Sequence, residues 1–298
     1  MIIYLAGGVT GNLIKEWKNL MNLHLASFCP ELKTRLKENY DIQNMKIFLA
    51  AVLINDSLTI NNKTKSNDIF LKDIFILESY HYILKQDWMF PLLKEFKGFL
   101  LDSGAFTFLT SQKNAKINWE QYVINYGNFV KKLDIKHFFE LDIDPIVGLA
   151  EVERLRFILE KTAGRKCIPV WHKSRGLDYW KKMCQNYDYI AIGGIVTQEI
   201  KRTEYDVFLP LLQIARQNNC KVHGLGFTNL KGLEKYKFYS VDSTAWLSGN
   251  KFGAIYLFDG KTMQKTKKPA GKKVKTFETA IHNFSEWVKF GKYAEHNL

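Results

Sequence analysis

From about residue 99 the chain alternates short apolar runs with longer stretches whose apolar residues recur every three or four positions. That rhythm belongs to strand–helix units around a parallel sheet. The runs of strand length are Phe99 to Leu101, His137 to Leu141, Cys167 to Trp171, Tyr189 to Ile192, Lys221 to Leu225 and Phe238 to Val241. Between them the spacing predicts helices. Trp119, Tyr122, Val123, Tyr126 and Val130 share one helical face, behind an Asn118/Gln121 pair that resembles a capping box. Leu149, Val152, Leu155, Ile158 and Leu159 share another, and both stripes read as core faces.

Closing a ring of eight strands takes two more, and the N-terminal third offers Ile2 to Leu5 and Ile74 to Leu77, with Ile47 to Leu49 as a rival for the second. The expected fold class is therefore α/β: a (β/α)8 barrel of the TIM type over residues 1–250, with N-terminal helical insertions. Residues 251–298 follow as a lysine-rich segment and a final amphipathic helix, about Phe277 to Phe290, packed on the barrel. The polar stretch Asn55 to Asn67 reads as an exposed loop, either a variable insertion or part of a substrate surface.

Composition narrows the partners. The 298 residues carry a formal net charge of +13, which favours polyanions by steering and counterion release, nucleic acid first among them; charge alone is also compatible with a merely soluble basic protein. Lys265, Lys267, Lys268, Lys272, Lys273 and Lys275 lie in a run without an acidic residue, either a phosphate-contacting arm or a solubilising surface. Cys29, Cys167, Cys184 and Cys220 are scattered, with no zinc-ligand spacing, so neither metal nor cofactor is expected. The N-terminus lacks a signal-peptide pattern and no apolar run spans a bilayer, which excludes a membrane partner and makes a reducing cytoplasm the expected location.

In a β/α barrel the catalytic groups come from the C-terminal ends of the strands, where the loops converge. The polar and glycine residues of this chain fall at those ends: Asp102 and Ser103, Asp142 and Asp144, His172, Gly193 and Gly194, Gly226, and Asp242. Three carboxylate positions directly after buried strands are costly to place without a use, since each needs partners or a raised pKa.

The segments LLDSGAF, ELDIDP, IAIGGI, HGLGFT and SVDST, in that order over residues 99 to 246, resemble the core of the tRNA-guanine transglycosylases. Three departures stand out: Thr107 replaces a Gln, Ala105 replaces the second Gly of DSGGF, and the Cys3His zinc module is missing. The short, zinc-free form is more similar to phage-type DNA-guanine transglycosylases, relatives of the queuosine enzymes that install 7-deazaguanine in DNA. The resemblance implies DNA as partner, with tRNA as runner-up, a free 7-deazaguanine such as preQ0 or preQ1 as second substrate, and the host cytoplasm as location if the gene belongs to a phage.

By the same resemblance Asp242 is the nucleophile at C1′ and Asp102 the acid/base. Phe106, beside Ser103 and Gly104, stacks on the base; Asp142, or else Asp144, reads its N1–H and amino group; the amides around Gly193 and Gly194 meet O6. His172 either lines the base pocket, where the family has a polar strand-end residue, or is a packed or surface histidine, and Gly226 stands at the same rim. His223, at the start of its strand, is expected to lie toward the opposite face in a structural role. Two other readings stand beside this one: a non-catalytic nucleic-acid-binding barrel, and a nucleoside deoxyribosyltransferase, whose opening strand IIYLAGG resembles.

Overall fold

The computed structural model describes residues 45–52, 71–110, 117–267 and 275–298, all within one compact unit that spans 44–298. The expected strand Ile2 to Leu5 and the loop Asn55 to Asn67 lie outside the described residues. Seven strands form one parallel sheet: β1 (Lys46–Ala50), β2 (Phe75–Ser79), β3 (Gly98–Asp102), β4 (Val170–Trp171), β5 (Tyr189–Ile192), β6 (Lys221–Gly224) and β7 (Ser240–Ser243). Their order is β3-β2-β1-β7-β6-β5-β4. β1 and β2, KIFLA and FILES, are buried along almost their whole length, as strands covered on both faces must be. Ile47 to Leu49 and Ile74 to Leu77, treated above as rivals, are both strands and neighbours, with Phe48 paired to Phe75.

The expected strand His137 to Leu141 is reduced to isolated parallel bridges, Leu101 to Phe138 and Phe139 to Ile168. These nevertheless tie it to both edges of the sheet. Leu101 N–H donates to the His137 carbonyl at 3.1 Å and Phe139 N–H to that of Leu101 at 2.9 Å, while Ile168 N–H donates to the Phe138 carbonyl at 2.7 Å. The sheet therefore curls towards itself. Inward-facing residues two apart along each strand fill the curl, among them Phe48, Phe75, Leu77, Leu100, Phe139, Ile168, Val170 and Ala191 in one buried cluster.

The connections carry helices α1 (Tyr80–Ile83), α2 (Ala105–Thr110), α3 (Trp119–Leu133), α4 (Asp144–Val147), α5 (Leu149–Ala163), α6 (Gly176–Asn186), α7 (Phe208–Gln217) and α8 (Leu230–Tyr236). At the start of α3 the Asn118 side chain accepts from Gln121 N–H at 3.0 Å, but the Gln121 side chain donates to Asn125, so only half of a capping box forms. Val123, Tyr126 and Val130 are buried as their spacing predicts. The Tyr126 hydroxyl lies 3.1 Å from both the Leu101 and Phe139 carbonyl oxygens, which fastens α3 to the strand ends.

After β7 come α9 (Ser248–Phe252), an antiparallel hairpin of β8 (Ala254–Phe258) and β9 (Met263–Lys267), and α10 (Thr276–Asn297). Part of the lysine run, expected as an arm or loop, is thus a strand, and the final helix is longer than its apolar stripe indicated. Asn283 explains why helix and hairpin stay together: it is fully buried, accepts from Tyr256 N–H at 2.9 Å and donates to the Trp246 and Ala254 carbonyls. Trp246 in turn donates its indole N–H to the Ala50 carbonyl at 3.0 Å, joining this region to the end of β1. No described helix is long and apolar enough to cross a membrane.

Candidate active site

The apolar filling of the curl stops at the C-terminal ends of the strands, and there a cavity of about 520 Å³ opens. Its wall includes Ala50, Ser79 and Tyr82, Asp102, Phe139, Glu140 and Asp142, His172, Gly193 and Gly194, Leu225 and Gly226, and Asp242. Seven of the expected site residues, Asp102, Asp142, His172, Gly193, Gly194, Gly226 and Asp242, are thereby gathered in one place.

The others stand differently. Buried Ser103 accepts the Tyr122 hydroxyl on its carbonyl at 2.7 Å, and Gly104 N–H donates to Asp102 Oδ2 at 2.9 Å, so both shape the turn behind Asp102. Phe106 lies on α2, with its side chain outside the described residues. Asp144 opens α4 and is clasped by Arg175, whose Nε and Nη2 each reach it at 2.6 Å; it does not line the cavity. Lys265 and Lys267 are exposed on β9, Lys275 donates to Glu278 at 3.0 Å, and Lys268, Lys272 and Lys273 lie outside the described residues.

Asp102 and Asp242 are held in contrasting ways. Burial, with the charges of Asp242 and Asp142 nearby, raises the Asp102 carboxyl to about 6, against the opposing pull of the Gly104 amide and the Ser79 hydroxyl. Such a group exchanges protons readily near neutrality. Asp242 instead accepts Gly226 N–H on Oδ1 at 2.6 Å, with His223 Nε2 at 3.2 Å from the same oxygen. Gly226 can present its amide because it takes φ +67°, and a Cβ there would come within 2.3 Å of Val196.

The position of His223 reverses the expectation from sequence. It is fully buried inside the curl, against the rings of Phe48 and Phe139 at 6.1 and 5.2 Å. Place along a strand sets depth, whereas odd or even position sets the face, and His223 is two residues before cavity-lining Leu225.

His172 is clasped by two carboxylates: Nε2 is 2.7 Å from Asp142 Oδ1 and Nδ1 is 2.7 Å from Glu199 Oε2. Burial by itself would lower its pKa, but the two acidic partners override it and raise it to about 10. Both ring nitrogens are then donors, and the imidazolium sets positive charge against Asp142. Gly193 leaves room for the ring, since a Cβ there would meet His172 Nε2 at 2.8 Å. Because the folded-state value lies above the ordinary 6.5, the stability this cluster contributes is present in full below pH 6.5 and is lost as pH rises through about 10. Urea unfolding is therefore expected to show wild-type stability declining by a few kcal/mol across that window, a decline that His172→Gln lacks.

Sequence reasoning passed over Glu140, Arg175 and Glu199. Glu140 is fully buried, accepts from Val170 N–H at 2.7 Å, and is paired with Arg156 and Arg175 at 3.1 and 3.0 Å. It lies two before Asp142, a spacing that could have marked it. Arg175 reaches the site from the single 3-10 turn Lys173–Arg175 and Glu199 from the loop after β5, segments too short or irregular for periodicity to point to them.

The fold and site thus define an α/β protein whose curled parallel sheet carries an acid-rich cavity at the C-terminal ends of its strands. No family model matches the chain, and no curated protein matches it. Similar solved structures include two single-residue mutants of the tryptophan synthase alpha-subunit from the hyperthermophile Pyrococcus furiosus, each 14% identical. One has a TM-score of 0.43 over 70% of this chain and 91% of that one, the other 0.46 over 86% and 98%. A third is the carboxyl transferase domain of Rhizobium etli pyruvate carboxylase, 12% identical with a TM-score of 0.41, covering 99% of this chain and 53% of that one. Likenesses this distant bear on neither reaction nor substrate.

Proposed function

We propose that the chain is a nucleic-acid guanine transglycosylase on a (β/α)8 barrel, in which residues 137–140 supply the eighth stave, and that it exchanges guanine in DNA for a 7-deazaguanine. The observation that carries this reading is the pairing of two unlike carboxyl groups in one cavity: Asp102, raised to about 6, and Asp242, held by a main-chain amide and close to an imidazole. Base exchange needs a group that can give and take a proton and a second that stays a nucleophile.

In the proposed reaction an Asp242 oxygen bonds to C1′ as the C1′–N9 bond breaks, its electron pair leaving with guanine, and Asp102 delivers the proton to N9. The incoming base then loses its N9 proton to Asp102, and its N9 displaces the Asp242 carboxylate, so that two inversions retain the configuration. Asp142, with Oδ1 engaged by His172, offers Oδ2 to the N1–H and amino group of guanine. A stacked base cannot reach this cavity, so the nucleotide must be flipped out or unpaired.

The decisive experiment is incubation with duplex DNA and with tRNA, each with preQ0, preQ1 or labelled guanine, followed by mass spectrometry of the released nucleosides. A 7-deazaguanine nucleoside from DNA is the expected product. The same nucleoside from tRNA alone would move the substrate to RNA, and none from either would end the proposal. Exposed Lys265 and Lys267, which have no ion pair among the described residues, are candidates to meet phosphate. DNA affinity is expected to fall with log salt at a slope of about −0.9 per phosphate contacted, and to flatten by about two such contacts when both lysines become alanine.

A further inference from the structure

Beneath Asp242 a line of polar groups runs down the inside of the curl, past the rings of Phe48 and Phe139. The Tyr189 hydroxyl is hydrogen-bonded to Ser240 Oγ, Ser240 Oγ lies 2.7 Å from His223 Nδ1, and His223 Nε2 lies 3.2 Å from Asp242 Oδ1. Ser240 and His223 are fully buried. Tyr189 is flanked by the rings of His137 and Tyr239 at 5.7 and 5.4 Å, and its hydroxyl reaches Ser240 Oγ.

One direction of donation satisfies every member of this line. Tyr189 O–H donates to Ser240 Oγ, Ser240 O–H donates to His223 Nδ1, and the one ring proton remaining, on Nε2, donates to Asp242. The reverse direction, with the ring proton on Nδ1, would set the Nε2 lone pair of a neutral ring against Asp242 Oδ1, two acceptors 3.2 Å apart.

We propose that His223 is the positioning residue of Asp242: the Tyr189–Ser240 pair holds its imidazole as the neutral tautomer protonated on Nε2, and this N–H, with the Gly226 amide, fixes Oδ1 so that Oδ2 is the oxygen presented to the sugar carbon. The inference rests on the transglycosylase reading for the identity of that carbon. Among the described residues no donor reaches Oδ2, whereas Oδ1 has two. Once the C1′–Oδ2 bond has formed, Oδ1 is the ester carbonyl oxygen and the same donors stabilise the carboxylate that departs in the second step. Loss of the His223 donor therefore slows breakdown of the intermediate and lets it accumulate.

Asparagine and glutamine separate the two ring contacts, because an Asn amide falls near Nδ1 of a histidine and a Gln amide near Nε2. His223→Asn is expected to lower kcat by about 10- to 100-fold with KM little changed and to raise the trapped covalent fraction, whereas His223→Gln keeps kcat within a few fold. Equal losses in both variants, or none in either, would overturn the positioning role. Independently of activity, ¹⁵N spectra of histidine-labelled protein, with the His223 signals assigned by their loss in His223→Gln, are expected to show a neutral ring protonated on Nε2. In Ser240→Ala the two tautomers should mix. An imidazolium, or a proton on Nδ1, in the wild-type protein would refute the proposal even if base exchange is observed. If no nucleic acid is modified, the functional reading fails and these spectra alone decide the state of His223.

Discussion

Replacing Asp242 with alanine is expected to reduce guanine exchange by roughly four to six orders of magnitude, the usual consequence of removing a covalent nucleophile, and to eliminate the protein–nucleic acid adduct trapped by denaturation. The residual wall of the cavity still binds, so DNA affinity should change little. Asp242 is the third residue of β7 and among the described residues its hydrogen-bond partners meet Oδ1 alone, so truncation leaves the Gly226 amide facing a cavity that water can enter and the fold should persist. Single-turnover exchange of labelled guanine, with thermal unfolding of the same sample, checks both parts. Exchange at the wild-type rate in a folded Asp242→Ala protein would remove the covalent mechanism.

Asp102→Asn is expected to pull activity and stability in opposite directions. As an amide the side chain neither protonates the departing base nor accepts the N9 proton, and general acid–base catalysis typically contributes 10²- to 10⁴-fold, so a loss of about that size is expected. The wild-type kcat/KM for nucleic acid should decline above about pH 6 as Asp102 ionises, and that limb should vanish in the variant. For stability the sign is fixed by linkage. The unfolded carboxyl titrates near the ordinary 3.8 and the folded one near 6, so between these values the folded state retains a proton the unfolded state has lost. Stability therefore falls across that interval and stays lower above it. Asparagine abolishes the fall, and the variant should be more stable than wild type at pH 8 by roughly 1–3 kcal/mol, but not at pH 3. Urea unfolding at the two pH values tests this. A variant less stable at pH 8 would mean that the carboxylate is better solvated than its burial indicates.

Much of the candidate site was legible because parallel strands with short connections leave only certain places for polar groups. Asp102, Asp142, His172, Gly193, Gly194, Gly226 and Asp242 each follow or end an apolar run, and the structure assembles all of them around one cavity. Legibility failed where partners come from far along the chain. Asp142 and Asp144 are alike in sequence, yet one meets His172 and the other is taken up by Arg175. His223 was assigned the wrong face because its depth in the strand was used where its parity was needed.

Periodicity and composition were sufficient for a parallel α/β chain, for most of its strands and helices, and for the end of the sheet at which chemistry gathers, since each of these follows from local preference and the burial of apolar side chains. They could not give the pairing of β1 with β7, the way residues 137–140 meet both sheet edges, or the rank of each carboxyl group as structural or reactive. Those depend on contacts between residues up to about two hundred positions apart, as between Phe48 and Asp242. A carboxyl group's charge state and free oxygen are set by which donors and charges the folded chain brings beside it, and that is a property of the whole packing rather than of any segment.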